Sequence, residues 1–382
     1  MQNIDFLYNS NKSFCKLNHL DKNILNYRSN IKIFDFRELK KIISFFYTGE
    51  EKFKKANILY NIIYKNKLEF VDKLTYILFE CLLYDLIINK HKKLNIKLEY
   101  KTTIKTEGLT YSCINVYNDG EKFKKSFYSD IFKTHFRKLI SYNEYLDNPK
   151  YLSLIMSDIR LFLTNYDIDL EQANKMSEIS VELIDNALEH SKSDCLIDID
   201  FSLMPYTKKD DNDPKTEYFT ANIALLSFSE TEIGDKIKEM CLDKTIVAQQ
   251  YEKLNHIYNV HKQYFDDSYS DKHFFTLSAF QDKITSRSGK LSTGGKGLTK
   301  LIKGLEDASE AYICYMTSGD ITLFFHKNLI KQDKDRWVGF NVENNIKAKP
   351  DKESFAKSPI CVKGTVYNLT FILKRSISNE KN

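Results

Sequence analysis

The segment ELIDNALEH, residues 182–190, carries the most informative pattern in this chain of 382 residues. It lies inside a helix predicted over 169–191, in which Glu182 and Asn186 are four residues apart and share one face. An amide oxygen on that face could bind Mg²⁺, and a carboxylate beside it could orient and deprotonate a water molecule. The same spacing also fits an ordinary amphipathic helix whose polar residues face solvent. The segment therefore indicates chemistry only in combination with other parts of the chain.

A glycine-rich stretch, STGGKGLT at residues 292–299, comes directly before an apolar run that is predicted to be helical. Glycines let the backbone approach a phosphate closely, and the free N–H groups at a helix N-terminus attract an anion. The alternative is a glycine-rich turn that caps a helix. The sequence contains neither a P-loop nor a Rossmann glycine motif.

A third segment, GTVYNLTFIL at residues 364–373, has the alternating pattern of a strand and opens with Gly364-Thr365. Alone, this pattern indicates only a strand. Other strands are predicted over 194–203, 217–228, 311–316 and 321–326, with a turn at Ser318-Gly319-Asp320 between the last two.

The order and spacing of the three segments resemble the GHKL superfamily of ATP-binding domains, which includes gyrase, heat-shock chaperone, histidine kinase and MutL types. Residues 182–190 look like the N box of the family, and residues 293–298 look like its second glycine box. Gly364-Thr365 looks like the Gly-Thr that opens its late strand. The resemblance covers about residues 165–375, which is more than half of the chain.

The resemblance implies an α+β protein whose residues 151–382 form a Bergerat-type α/β sandwich, a mixed sheet with helices on one face. ATP would lie between the sheet and the helices, beneath a mobile helical lid at about 236–292. Both ATP and Mg²⁺ are implied as cofactors.

The resemblance also implies a role for each site residue by its position in the motifs. Glu182 would be the general base, Asn186 would be the Mg²⁺ ligand, and His190 would lie near the edge of the nucleotide. Thr365 would approach the adenine side. The phosphates would face the second glycine box, whose residues here are Gly294, Gly295, Lys296, Gly297 and Leu298.

The first glycine box of the family, Asp-x-Gly-x-Gly, is missing from its expected position at the end of the strand 217–228. Ser227 stands in place of the adenine-binding Asp, and Ser229 and Thr231 replace the two glycines. A shift of the alignment to Gly234 breaks the spacing. A neutral hydroxyl binds an adenine amino group more weakly than a carboxylate does, so we expect modest affinity for ATP and weak discrimination against GTP.

These residues favour an Mg²⁺-dependent ATPase that couples ATP binding and hydrolysis to a conformational switch acting on a protein partner or a second copy of the chain. A sensor histidine kinase is disfavoured because His19, His91 and His135 lack the context of a phosphoacceptor. Two alternatives stay open. One is a non-catalytic, nucleotide-binding or degenerate scaffold that acts through protein contacts, and the other is a serine kinase of the anti-sigma type.

Length and composition predict the domain organisation. The chain is 42% hydrophobic, which is enough for a sizeable core and excludes global disorder. Its length favours two domains, with one large domain as the alternative, and Asn148-Pro149 is the predicted boundary. Residues 1–150 would form an α+β sensing or transmitting domain and 151–382 the nucleotide-binding domain. Helices are predicted over 37–47, 52–64, 70–90 and 127–142, and a strand pair over 94–105 and 109–116.

The charge is unevenly distributed along the chain. Residues 1–150 contain 27 Lys and Arg against 17 Asp and Glu, whereas the remainder contains 30 against 35. The basic N-terminal part could attract nucleic acid or an acidic partner, although no nucleic-acid motif supports this, or it could be a lysine-rich solvated surface. We expect a cytoplasmic protein with no membrane contact and with reduced thiols, because the sequence has no signal pattern, no run of 18 apolar residues and seven widely spaced cysteines.

Overall fold

The protein is a mixed α+β structure with one parallel and one antiparallel multi-stranded sheet, seen in a computed structural model. The described residues are 1, 3–17, 23–54, 57–98, 113–132, 134–202, 206–207, 216–243, 248–282, 284, 297–308 and 314–375.

Within these ranges the α-helices are α1 (Asp5–Asn9), α2 (Phe36–Lys52), α3 (Lys73–Tyr84), α4 (Gly120–Tyr128), α5 (Tyr142–Asp147), α6 (Tyr151–Asn165), α7 (Leu170–Ser191), α8 (Asp235–Leu242), α9 (Gln249–His261), α10 (Asp271–Ser278) and α11 (Gly297–Ala308). The strands are β1 (Ile24–Ser29), β2 (Ile33–Phe34), β3 (Leu59–Tyr64), β4 (Glu69–Phe70), β5 (Lys93–Leu98), β6 (Ser129–Phe132), β7 (His135–Ile140), β8 (Cys195–Phe201), β9 (Tyr206–Thr207), β10 (Glu217–Phe228), β11 (Tyr315–Phe324) and β12 (Phe355–Lys374). None of these helices is both long enough and apolar enough to cross a bilayer.

The large sheet has the strand order β11-β12-β10-β8-β7-β6, with β9 paired to β10. All of its described pairs are antiparallel, so the mixed sheet predicted for 151–382 is wrong in this respect. Parallel pairing occurs instead in the N-terminal part, in the sheet β1-β3-β5 and the short pair β2-β4. An antiparallel pair needs no crossover helix, and β6 and β7 are accordingly joined by a short connection.

Both faces of the large sheet are covered. Side chains alternate between the faces of a strand, so Ile197 and Leu225 belong to the core around α6, α7 and α11. Their neighbours Leu196 and Leu226 belong to a second core, which includes the N-terminal helices α2 and α3. Helices of residues 1–150, which lie outside the range of the sandwich prediction, therefore form a layer on the other face.

The sheet begins before the predicted boundary at Pro149. The helix predicted over 127–142 is wrong, since α4 ends at Tyr128 and two strands, β6 and β7, follow it. Strand β7 pairs along β8, from His135 opposite Asp200 to Ile140 opposite Cys195. A helix was predicted here because β7 contains charged residues, and such residues are typical of the solvent-facing side of an amphipathic helix. In the structure most of these residues are buried.

Three other local predictions differ from the structure. The helix predicted over 52–64 is wrong, because residues 59–64 form the buried parallel strand β3. Strand β5 pairs with β3, and residues 113–116 form a 3₁₀ turn in place of the partner strand predicted there. No turn separates two strands at 318–320, because β11 continues through them with bulges and with Gly319 at φ +60°. Whether such a segment forms a strand depends on pairing with a segment that is distant in the sequence.

Candidate functional site

One pocket lies between α7, the segment that follows β10, the start of α11 and the middle of β12. It encloses about 890 Å³, part of which is open to solvent. Five of the residues proposed from the sequence line it: Glu182, Asn186, His190, Leu298 and Thr365. The fold therefore brings residues from three separate segments to one place.

Helix α7 positions three of these residues. It begins after Asp169, whose carboxylate accepts hydrogen bonds from two backbone N–H groups of the first turn, at 3.0 and 3.2 Å. Its apolar side, which includes Ile184, packs into the core beneath the sheet. Glu182, Asn186 and His190 recur at intervals of four residues and border the pocket.

The polar groups of this helix have different environments. The Asp185 carboxylate accepts a hydrogen bond from the Tyr145 hydroxyl at 2.9 Å and is thereby held against α5. The Nδ2 atom of Asn186 is shielded from solvent and has no hydrogen-bond partner among the described residues. Such an unpaired donor costs about 1–3 kcal/mol, so it is typical of a place where a ligand supplies the missing partner.

Ser227 and Thr365 lie opposite each other on the paired strands β10 and β12. Ser227 is 2% exposed, and its Oγ has no hydrogen-bond partner in the described part of the chain. Gly364 precedes Thr365 and has φ +101°, and a Cβ there would lie 2.2 Å from the Ser227 carbonyl oxygen. Only glycine allows this close approach, and it lets Thr365 enter the pocket.

The segment after β10 forms a further wall of the pocket, through Thr231, Glu232, Ile233 and Gly234. Ser318 ties this wall to β12, because its hydroxyl accepts from the Ile233 N–H at 3.0 Å and donates to a backbone carbonyl of β12 at 2.5 Å. Gly234 has φ +94°, and a Cβ there would lie 2.7 Å from backbone atoms of α10. This glycine therefore lets the wall turn sharply into α8.

Charged groups surround the pocket. Lys236, in the first turn of α8, lies on its wall. Glu232 pairs with Lys272, Oε2 to Nζ at 2.8 Å, and Lys272 also reaches Asp320 at 2.7 Å. Burial alone would lower the pKa of Lys272, but the hydrogen bonds to Asp320 and Glu232 outweigh it and raise that pKa above its ordinary value.

The remaining proposed site residues are placed as follows. Ser227 lies beside Thr365 on the same face of the sheet but is not on the pocket wall itself. Gly297 is the first residue of α11, and Gly294, Gly295 and Lys296 lie outside the described residues. Lys236 and the wall before it were not predicted from the sequence, and the isolated Gly234 after a long strand was the signal that could have located them.

A second polar cluster could in principle hold a metal. The ligand atoms of His135, Asp198 and Asp200 lie within 4.8 Å of one another and are buried. Lys73 pairs with both carboxylates, and Arg137 pairs with Asp198. Burial acts to raise the pKa of Asp198, but Arg137 and Lys73 outweigh it and hold that pKa well below its ordinary range. The two cations already supply the charge that a metal would bring, so this cluster is a buried ion-pair network.

Comparison of the chain with protein-family models, with curated proteins and with solved structures finds no match.

Proposed function

We propose that the chain is an Mg²⁺-dependent ATP-binding protein of the GHKL type, and that it uses ATP hydrolysis to switch conformation. One observation carries the proposal. The residues of three motifs, represented by Glu182, Leu298 and Thr365, line one pocket in which a polar atom of Asn186 has no hydrogen-bond partner within the described residues.

The phosphate side of the pocket would lie toward α8 and α11. Lys236 supplies positive charge on the wall, and the N-terminus of α11 at Gly297 supplies backbone N–H groups with the favourable end of the helix dipole. An anion with several charges, such as a triphosphate, fits this combination. Part of the second glycine box lies outside the described residues, so its share in phosphate binding stays a prediction.

The chemistry at α7 would divide between two side chains. The Asn186 carboxamide offers an oxygen of the kind that Mg²⁺ accepts, and its unpaired Nδ2 group would donate a hydrogen bond to an oxygen of the bound nucleotide. Mg²⁺ would neutralise the charge of the phosphates. Glu182, one turn earlier and on the same wall, would orient a water molecule and take its proton.

The base side would lie against β10 and β12. The Ser227 hydroxyl is buried, lies opposite Thr365 in the sheet and has no hydrogen-bond partner among the described residues. A hydroxyl can both donate and accept a hydrogen bond. Such a group reads adenine without strongly excluding guanine. The proposal therefore includes modest affinity and loose base selection.

The decisive experiment uses Glu182→Ala, with Glu178→Ala as the control, since Glu178 is exposed one turn earlier on the same helix. Wild type should bind and hydrolyse Mg·ATP, as measured by calorimetry and phosphate release. Glu182→Ala should bind ATP with nearly unchanged affinity but hydrolyse it about 10²–10⁴-fold more slowly, because a general base acts on water and not on the nucleotide.

Each other outcome has a clear meaning. Binding without hydrolysis in wild type would favour a nucleotide-binding scaffold over an ATPase. Transfer of the phosphate to a serine of an added protein fraction would favour the kinase alternative. Absence of nucleotide binding in wild type would overturn the proposal.

A further inference from the structure

A separate groove lies on the N-terminal part and shares no residue with the pocket at α7. It encloses about 1090 Å³ between residues 13–17, strand β1 and the first half of α2. All charged residues that line it are cations, and all are exposed: Lys16, Arg28, Arg37, Lys40 and Lys41. We name it the basic groove.

Only part of this positive charge is neutralised within the protein. Arg37 pairs with Asp35, Nη2 to Oδ2 at 2.5 Å, and Lys41 pairs with Glu38, Nζ to Oε2 at 3.2 Å. In the described ranges, three of the five cations form no ion pair with a carboxylate: Lys16, Arg28 and Lys40. The basic groove therefore has a net positive charge that a ligand could neutralise.

A lysine-rich surface does not by itself leave such charges unpaired. Another groove of about 820 Å³ on the same part of the chain is also rich in lysines. There Lys54 pairs with Glu51 at 2.9 Å and Lys92 pairs with Glu50 at 3.0 Å. The second groove differs from the basic groove because Glu50 and Glu51 line it, and among the described residues only Lys93 of its four lysines has no ion pair.

Aromatic and apolar groups accompany the cations. Leu17, Tyr27 and Phe45 contribute apolar surface to the basic groove, with the two rings 5.4 Å apart. Phe14 stands between two lining residues and is 68% exposed, with its ring 5.1 Å from that of Tyr47. Phe14 does not itself line the basic groove, but a phenyl ring this exposed on the segment that borders the groove offers a stacking surface.

We propose that the basic groove binds single-stranded nucleic acid. The phosphates would contact Lys16, Arg28 and Lys40, and a base would stack on Phe14. A cationic groove that follows the backbone, combined with an exposed aromatic ring, is the general arrangement by which proteins hold single strands without sequence preference. The inference does not depend on nucleotide binding at α7.

An acidic peptide fits the basic groove less well than a single strand of nucleic acid. Its carboxylates would neutralise the cations, but most of its side chains have no flat aromatic face to place on Phe14 or on the apolar floor near Leu17. A nucleotide strand brings a negative charge and a flat base in every unit. Charge and shape together therefore favour nucleic acid over an acidic protein.

The test measures binding of fluorescein-labelled oligo(dT) and oligo(U) of about 12 nucleotides to the full-length chain by fluorescence anisotropy, at salt concentrations between about 50 and 200 mM. One variant combines Lys16→Ala, Arg28→Ala and Lys40→Ala. The matched control combines Lys54→Ala, Lys92→Ala and Lys93→Ala in the other groove, with the same change in net charge.

The basic-groove variant should lose at least about tenfold in affinity, and the slope of log K against log salt should fall by about 2, because each phosphate contact contributes about 0.7 for single strands. The control should stay within about twofold of wild type. Equal losses in both variants would mean that general surface charge holds the strand, and that would overturn the proposal. Absence of oligonucleotide binding by wild type would overturn it as well.

The stacking contact is tested separately. Phe14→Ala should weaken binding about fivefold or more, and Phe14→Trp should restore it, because stacking of a base on an aromatic ring contributes about 1–3 kcal/mol. Polyglutamate serves as the competitor. If it displaces the oligonucleotide at equal charge concentration and Phe14→Ala has no effect, the basic groove is a site for acidic proteins and the proposal is wrong. If oligo(dT) and oligo(U) compete equally for the basic groove, the site binds single strands with either sugar, as proposed.

Discussion

Two polar atoms, one on the pocket wall and one beside Thr365 behind it, lack a hydrogen-bond partner among the described residues: Nδ2 of Asn186 and Oγ of Ser227. Most buried polar groups in proteins are paired, because an unpaired one loses its bonds to water without replacement. Both atoms belong to residues that the sequence motifs had assigned to nucleotide contacts. At the scale of single residues, these two positions are where ligand binding should be most sensitive to substitution.

Asn186→Ala should weaken binding of Mg·ATP more than binding of metal-free ATP. The lost contact is to a cation, and hydrogen bonds and contacts to charged groups contribute about 1.5–3 kcal/mol, which corresponds to about ten- to a hundredfold in affinity. Asn174→Ala, near the start of the same helix and outside the pocket lining, is the control and should change neither titration. Titrations with and without Mg²⁺ that shift by the same factor would contradict a role for Asn186 in holding the metal.

Substitution of Ser227 tests how the base is held. Because its Oγ has no partner among the described residues, Ser227→Ala should leave the free energy of unfolding nearly unchanged while lowering ATP affinity about two- to tenfold. Ser227→Asp should tighten ATP relative to GTP, since a carboxylate accepts the adenine amino group in a charge-assisted bond. Calorimetric titration with both nucleotides measures the ratio. If neither substitution changes it, the base is read elsewhere.

At the scale of elements, α3 is joined to the large sheet through buried charges. Lys73, at the start of α3, pairs with Asp198 and Asp200 of β8, and Glu80 further along the helix pairs with Arg137 of β7 at 2.5 Å. All five side chains are almost fully buried. Removal of one partner from such a network leaves an uncompensated charge inside the protein, so a single substitution here should strongly destabilise the fold.

Lys73→Met should lower the free energy of unfolding by about 3–5 kcal/mol near pH 8. Burial already raises the pKa of Asp200 above its ordinary value, with Lys73 acting against that rise, so loss of the lysine should raise this pKa further. A carboxyl whose pKa is higher in the folded than in the unfolded protein binds its proton more tightly in the folded protein, so protonation stabilises the fold. The variant should therefore regain stability as the pH falls from about 8 to about 5.

Denaturant unfolding at the two pH values measures this effect. Lys122→Met is the control, because Lys122 pairs with Asp119 on the surface with 73% of its side chain exposed, and such pairs contribute about 0–1 kcal/mol. A loss in Lys73→Met that is small, or that does not shrink toward lower pH, would contradict the account of the network.

At the scale of the whole molecule, the predicted lid contains folded structure. In its described part, helices α8 to α10 bury apolar residues in the same core as α7, among them Leu254 and Phe274. His261 bonds to the backbone of residue 346, and Gln281 bonds to the backbone of Val338. These contacts fasten α9 and α10 to the chain that leads into β12, so we expect motion on ligand binding to be concentrated at α8 and the wall before it.

Hydrogen exchange measured with and without Mg·ATP tests where the chain responds. Amides of residues 229–243 should exchange more slowly with nucleotide, because this segment carries the pocket wall and Lys236. Amides of α9 and α10 should be slow in both states. Protection that extends evenly over 236–282 would show instead that the whole predicted lid closes as a unit.

Local sequence patterns were sufficient to predict those helices and strands that depend on local interactions. Helix α7 and the face shared by Glu182 and Asn186 follow from the sequence because helix hydrogen bonds join residues four apart. Strands β8 and β10 were also evident from their runs of β-branched and aromatic residues. Strands β3, β6 and β7 were not, because strand pairing joins residues far apart and no local period marks a strand that carries buried charge.

Contacts between distant segments decided the rest. The burial of Ser227 depends on its pairing with Thr365, and the second covered face of the sheet depends on docking of α2 and α3. The ion pairs of Lys73 join residues that no short-range pattern relates. The spacing of the motifs could thus predict which side chains belong to one pocket. It could not predict whether a given polar atom has a hydrogen-bond partner, contacts solvent or has neither. That depends on three-dimensional packing, because burial and pairing exist only once the chain has folded.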